Sequence, residues 1–212
     1  MSASDPDVDV LTDTIVGAID TAYFADSLTE AQLAEFKTLP IFAINAYSNG
    51  EMANLTAYNM IQRDYINLLT QSIFNIPIDT IAARLLDVQD NVTKSGLSSA
   101  EQGPILFAVM TGVQSFNYWN GKVATPGDWE DFLTNNVPYQ ASQYALIPYW
   151  VAAAMEGALY GANIAANNTT DGYSDNPGIS KWAITALITS LAVNSGKVIF
   201  GNIPRIQNNC GI

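Results

Sequence analysis

The chain has 212 residues, with 20 Asp plus Glu against 8 Lys plus Arg, a net charge of −12, no histidine, one cysteine and 49% apolar residues. A chain this long hides roughly 70% of its unfolded surface, which is ample for a core, and the shortage of cations argues against a nucleic-acid partner. The absence of histidine excludes Ser-His-Asp and Cys-His catalysis, histidine-bound haem and the usual zinc hydrolase sites.

The first residues, Met1 to Asp7, have neither a basic region nor an apolar run, so no secretory signal is expected in the sequence as it stands. Secretion through a removed leader and intracellular residence both stay open. Val8, Leu11, Ile15, Ala18 and Ala22 then share one face of a first helix, with Asp9, Asp13 and Asp20 mostly off it. A second helix is capped by Thr29 with Gln32 three residues on, stapled by Leu28 and Leu33, and is expected to stop by Pro40. Ser48 followed by Glu51 reads as the start of a third helix, with Tyr47 stapling Met52, running to about Phe74. Ile78, Ile81, Leu85, Val88 and Val92 make the fourth, with Gly96 as its C-terminal cap.

Ser98 with Glu101 opens a fifth helix whose apolar body, Ile105 to Trp119, is expected to end at Asn120-Gly121. Thr125-Pro126-Gly127-Asp128 starts a short helix through Leu133. An almost uncharged helical segment covers Pro148 to Ala166, a polar loop covers Asn167 to Gly178, and a last helix covers Lys181 to about Asn194. With no alternating segment of useful length, the fold class is all-α: a single-domain bundle of seven or eight helices over residues 1–212. Residues 1–7 are expected to be flexible and 198–212 to form an irregular tail. Gln143 to Ala166 holds Pro148 and Glu156, and Trp182 to Gly201 is interrupted by Asn194 to Lys197, so neither reads as a constitutive membrane span.

Charge is uneven: residues 1–36 carry eight acids and no base, whereas beyond Asp175 stand only Lys181, Lys197 and Arg205. The acids suit helix capping and solubility; a sharper reading lets this acidic arm meet the basic C-terminal region. Asp5, Asp7 and Asp9 have the alternate spacing of a calcium loop but lack its Gly and Glu. Asp171 and Asp175 are weak metal candidates in a loop that reads as a turn. Asp128, Glu130 and Asp131 could pair as glycosidase acids, yet acids are ordinary in the first turns of a helix. Cys210 has no disulfide partner. The four Asn-x-Ser/Thr sequons, at Asn54, Asn91, Asn167 and Asn168, are close to what this composition supplies by chance.

The strongest pattern is Ala153, Gly157, Gly161 and Ala165, small residues every four positions, which let another helix approach almost to backbone contact. The partner could be a core helix, a second molecule or a membrane-inserted neighbour. Glu156 is a candidate buried acid, needing a partner such as Lys181 or Arg205. Trp119, Trp150 and Trp182, in an aromatic-rich stretch, are candidates for a ligand pocket. No catalytic residue and no cofactor is implied. The resulting expectation is a non-enzymatic interaction or structural protein, with a protein partner or self-association through the small-residue face. The alternatives are a membrane-active helical protein that is soluble before insertion, or an enzyme or small-ligand carrier using carboxylates and aromatics.

Overall fold

A computed structural model describes residues 6–22, 25–124, 143–167 and 181–200. Among these the protein is all-α, with seven α-helices: α1 (Pro6–Asp20), α2 (Glu30–Asn49), α3 (Met60–Gln71), α4 (Ile81–Thr93), α5 (Ser99–Ala124), α6 (Ile147–Asn167) and α7 (Lys181–Phe200). The expected helix at Thr125 to Leu133, with Asp128, Glu130 and Asp131, lies outside the described residues, as do Asp171, Asp175 and Cys210.

Local chemistry sets the helix ends. Thr29 caps α2, with its side chain accepting from the Gln32 N–H while the Gln32 side chain accepts from the Thr29 N–H, as the sequence predicts. The helix does not stop at Pro40. That residue is buried inside α2, and the helix runs on to Gly50, whose φ of 82° supplies the left-handed stop that a side chain would resist. Ser48 is therefore no cap: its hydroxyl donates back to Ile44 O at 2.9 Å within α2. A short 3-10 turn over Glu51–Ala53 follows, and α3 begins only at Met60, capped reciprocally by Asn59 and Gln62. Its neighbour α4 buries Ile81, Leu85, Val88 and Val92 of the predicted stripe, whose first member Ile78 stands in a preceding 3-10 turn, and it ends at Thr93 with Lys94 as its cap, ahead of Gly96.

Two further boundaries differ from expectation. Helix α5 passes through Asn120-Gly121 to Ala124, and α7 passes through Asn194-Ser195-Gly196 to Phe200. In α7 the reason is tertiary. Asn194 donates to Ser115 Oγ at 2.9 Å and accepts from the Trp119 indole at 3.3 Å, so a residue that favours turns is held in helix by α5. At the other end of the chain, helix already begins at Pro6, within the stretch expected to be flexible.

Helix α6 is the axis of the molecule. It buries 15 side-chain positions and carries a single charge, Glu156. Met155, Ala158 and Leu159 join one apolar cluster with Leu69, Leu85 and Val109 of α3, α4 and α5. Ala153 and Tyr160 join a second with Leu11, Phe36, Ile44 and Ile188 of α1, α2 and α7. Among the described residues no helix is long and apolar enough to cross a membrane.

Ion pairs tie the periphery. Lys37 meets Asp20 at 2.6 Å between α2 and α1, and Lys181 meets Glu35 at 2.8 Å between α7 and α2. The second of these joins the acidic N-terminal region to a C-terminal base, although exposed pairs of this kind contribute only about 0–1 kcal/mol.

Glu101 joins two helix starts. Its carboxylate accepts from the Ser98 hydroxyl and N–H, both at 2.7 Å, and from Asn59 Nδ2 at 2.7 Å, linking the starts of α5 and α3. The two Ser98 bonds, the hydroxyl first, hold its pKa below the ordinary glutamate value, assisted by Asn59. A lowered folded pKa stabilises the fold above the unfolded value, and that contribution is lost as pH falls through the folded one. Urea titrations of the wild type and Glu101→Gln should therefore differ by a constant amount above about pH 5, with the gap closing below about pH 4.

Candidate functional site

The small-residue row is filled from within the chain. Ala153, Gly157, Gly161 and Ala165 are all buried, and the contact of α6 with α7 is the most extensive between any two elements. A Cβ placed on Gly157 would lie 2.6 Å from Thr189 O and 2.8 Å from Ser190 Cα. One placed on Gly161 would meet Thr189 Oγ1, and would lie 2.7 Å from Thr185 O and 2.8 Å from Ala186 Cα. The close approach lets the Ser190 hydroxyl donate to Ala154 O at 2.7 Å, and puts the Thr189 hydroxyl 2.7 Å from Gly157 O, which shares its proton with Thr185 O of α7 at the same distance. This face is thus occupied by α7 of the same molecule and is not presented to a second one.

The three tryptophans do not form one pocket. Trp119 and Trp150 are buried together with ring centroids 4.8 Å apart, while Trp182 sits edge-on to Phe107 at 5.7 Å. Glu156 is half-buried on α6. Lys181, one of the partners the sequence offers it, pairs with Glu35. Among the described residues no group of three or more His, Cys, Asp or Glu side chains could hold a metal ion.

What the fold does build is a groove of about 950 Å³ between α1, α5 and α7, with Ala154 of α6 in its floor. It lies along the seam between the two apolar clusters, where α5 and α7 both pack on α6 but touch each other little. Val10, Leu11, Ile15 and Ala18 line it from α1, Phe107, Met110, Tyr118 and Trp119 from α5, and Leu187, Leu191 and Val198 from α7. Several of these large apolar side chains face solvent: Val10 is 66% exposed, Met110 46%, Leu187 42% and Leu191 45%. Exposed apolar surface gathered in one concavity, in contrast to single scattered residues, makes this groove the candidate contact surface.

The polar groups in the groove are largely engaged. Thr14 donates to Val10 O and Thr111 to Ala108 O, both at 2.8 Å, and Ser190 donates to Ala154 O at 2.7 Å. Ser115 is held by Asn194. Among the described residues no Asp, Glu, Lys or Arg lines the cavity. At the edge of the groove the Lys122 ammonium lies 5.6 Å from the Tyr118 ring centroid.

Of the candidate site residues named from sequence that are described, Trp119 lines this groove; Leu11, Ile15 and Ala18, read from sequence as a core face, line it too. Met110, Leu187 and Leu191 were hidden because each falls in a helix that is apolar on nearly every side, so periodicity does not separate an outward leucine from a core one. No protein-family model, no curated protein and no solved structure matches the chain.

Proposed function

We propose that the chain is a non-enzymatic interaction protein whose contact surface is the α1/α5/α7 groove, and that the groove receives the apolar face of a helix from a partner protein. The observation that carries this reading is the open groove of about 950 Å³, walled by exposed apolar side chains and, among the described residues, lined by no charged one. Its dimensions suit a helix. The lining runs from Phe107 to Trp119 on α5 and from Leu187 to Val198 on α7, about three turns or ~18 Å at ~1.5 Å per residue. An amphipathic helix presents anchors at i, i+3, i+4 and i+7 over that length. With the hydroxyls of Thr14, Thr111 and Ser190 already donating to carbonyls, recognition rests mainly on apolar side chains entering from outside.

The test uses a labelled amphipathic peptide of about 18 residues built from leucine, alanine and glutamine, and a scrambled peptide of the same composition. Fluorescence anisotropy should show saturable binding of the first and none of the second. Leu187→Ser with Leu191→Ser should weaken binding by about tenfold or more, since each leucine contributes about 1 kcal/mol of buried apolar surface to the contact. Equal binding of both peptides, or binding indifferent to the two leucines, would overturn the reading.

A further inference from the structure

We infer that the helix this groove takes carries an acidic residue at one end of its apolar stripe, where it pairs with Lys122; the inference rests on the groove reading above. The walls formed by α5 and α7 run in the same direction, which gives the groove two distinct ends. Phe107 of α5 meets Trp182 at the start of α7, while Ser115 and Trp119 both bond to Asn194 further along it. Phe107, Met110 and Leu187 therefore stand toward one end, and Gln114, Tyr118 and Ser195 toward the other. Lys122 belongs to that second end. It lies one helical turn beyond Tyr118 on the row that carries Thr111, Gln114 and Tyr118, and its ammonium sits over the Tyr118 ring. Among the described residues it has no ion-pair partner. Lys197, next to the lining residue Val198, is a second base toward this end, but it lies outside the arc of α7 defined by Leu187, Leu191, Ser195 and Val198 and has a contact of its own. No acid stands on α5 beyond Glu101 or anywhere on α7. On α1, Asp9, Asp13 and Asp20 share a stripe away from the lining residues Leu11, Thr14, Ile15 and Ala18, and Asp20 pairs there with Lys37 of α2.

The face of the Tyr118 ring attracts the ammonium without taking up its N–H donors. An occupant that covered this end with apolar side chains would strip water from the base and offer no acceptor, whereas a carboxylate supplies both an acceptor and the opposite charge. The net charge of −12 repels acidic chains at longer range, so what the groove selects is one placed acid on a helix that is otherwise neutral or basic. The same long-range repulsion disfavours two competing occupants. A second copy brings its own −12, and an anionic bilayer brings a broad negative surface to the whole chain.

The experiment is a double-mutant cycle with two peptides of about 18 residues that share a leucine stripe and glutamine at the polar positions, one of them with a single glutamate for glutamine in the first turn. Each is titrated into the wild type and into Lys122→Gln at about 50 mM salt. The preference for the glutamate peptide should be about three- to tenfold greater on the wild type than on Lys122→Gln, and this excess should fall below about twofold at about 500 mM salt. Because any gain in the peptide's own helix appears on both proteins, the excess reads the pair itself. Lys122→Arg should retain it, and so should Lys94→Gln, which removes an exposed lysine of α4 outside the groove and controls for net charge. The same preference on wild type and Lys122→Gln, or an equal loss in Lys94→Gln, overturns the placed acid while leaving the groove reading intact, whereas failure of both peptides to bind overturns both. Should the free protein form a dimer or bind anionic vesicles in a manner abolished by Leu187→Ser with Leu191→Ser, the inference is overturned as well.

Discussion

Gly161→Ala should lower the unfolding free energy by about 2–3 kcal/mol, a fall in Tm of roughly 5–10 °C for a chain of this size. The same change at Gly17 should act in the opposite direction. In both helices alanine is the better helix former by about 1 kcal/mol, so propensity alone predicts two stabilised proteins. What separates them is the space around the missing Cβ. Gly17 has nothing within 4 Å, and its alanine variant should keep the full gain. At Gly161 the new methyl meets Thr189 Oγ1, which can rotate, but also Thr185 O and Ala186 Cα at 2.7 and 2.8 Å, which belong to the α7 backbone and move only if the helix moves.

Separating α6 from α7 would also lengthen the bonds from Thr189 to Gly157 O and from Ser190 to Ala154 O. The expected cost is thus overpacking plus weakened buried hydrogen bonds, less the propensity gain. Gly112→Ala should fall between the two extremes, because its nearest neighbours, Met155 Sδ at 2.7 Å and Cγ at 2.9 Å and Leu85 Cδ1 at 3.2 Å, are side-chain atoms and not backbone. Urea denaturation of the three variants measures the order directly. A Gly161→Ala protein as stable as the wild type would mean that α6 and α7 are not in backbone contact.

The glycine row also shows how far the sequence could be read. That a helix must approach Gly157 and Gly161 closely follows from their spacing in an otherwise good helix. Which helix does so was marked in the sequence by a second row at the same interval, Thr185 with Thr189 and Ala186 with Ser190. Threonine and serine there read as solvent-facing until their hydroxyls are seen donating across the contact. Caps were legible where the side chain had no alternative, as at Thr29, and misleading where it had one. Ser48 has the capping spacing to Glu51 but donates to Ile44 O inside α2. The α1/α5/α7 groove was out of reach for a different reason: its walls come from residues about 10, 110 and 190 along the chain, and nothing local distinguishes Leu187 and Leu191, which are exposed, from Ile188 and Ala192, which are buried beside them.

Asn163→Ala should cost about 3 kcal/mol and loosen one particular segment. Asn163 is 3% exposed on α6 and holds the chain between α2 and α3 by both ends of its amide. Its Oδ1 accepts from the Ala57 N–H at 2.8 Å, and its Nδ2 donates to Asn54 O at 3.0 Å. Removing the side chain leaves a backbone donor and a backbone acceptor without that partner, at about 1–3 kcal/mol for each group that stays dry. Both backbone groups belong to a segment that has few other anchors on α6, the Tyr58 hydroxyl on Leu159 O and the Asn167 amide on Thr56 Oγ1 among them. The loss should therefore be read locally as well as globally: amide exchange at Ala57 should accelerate by two orders of magnitude or more, while the amides of the α6–α7 contact should slow or quicken only with global stability. Asn163→Asp separates the two bonds. A carboxylate still accepts from Ala57 but faces Asn54 O with a second acceptor, so at neutral pH it should be at least as destabilising as alanine, and should recover stability as the pH falls and the acid becomes a donor. If alanine and aspartate variants both unfold like the wild type, the Asn163 amide does not carry this join, and it falls to contacts such as those of Tyr58 and Asn167.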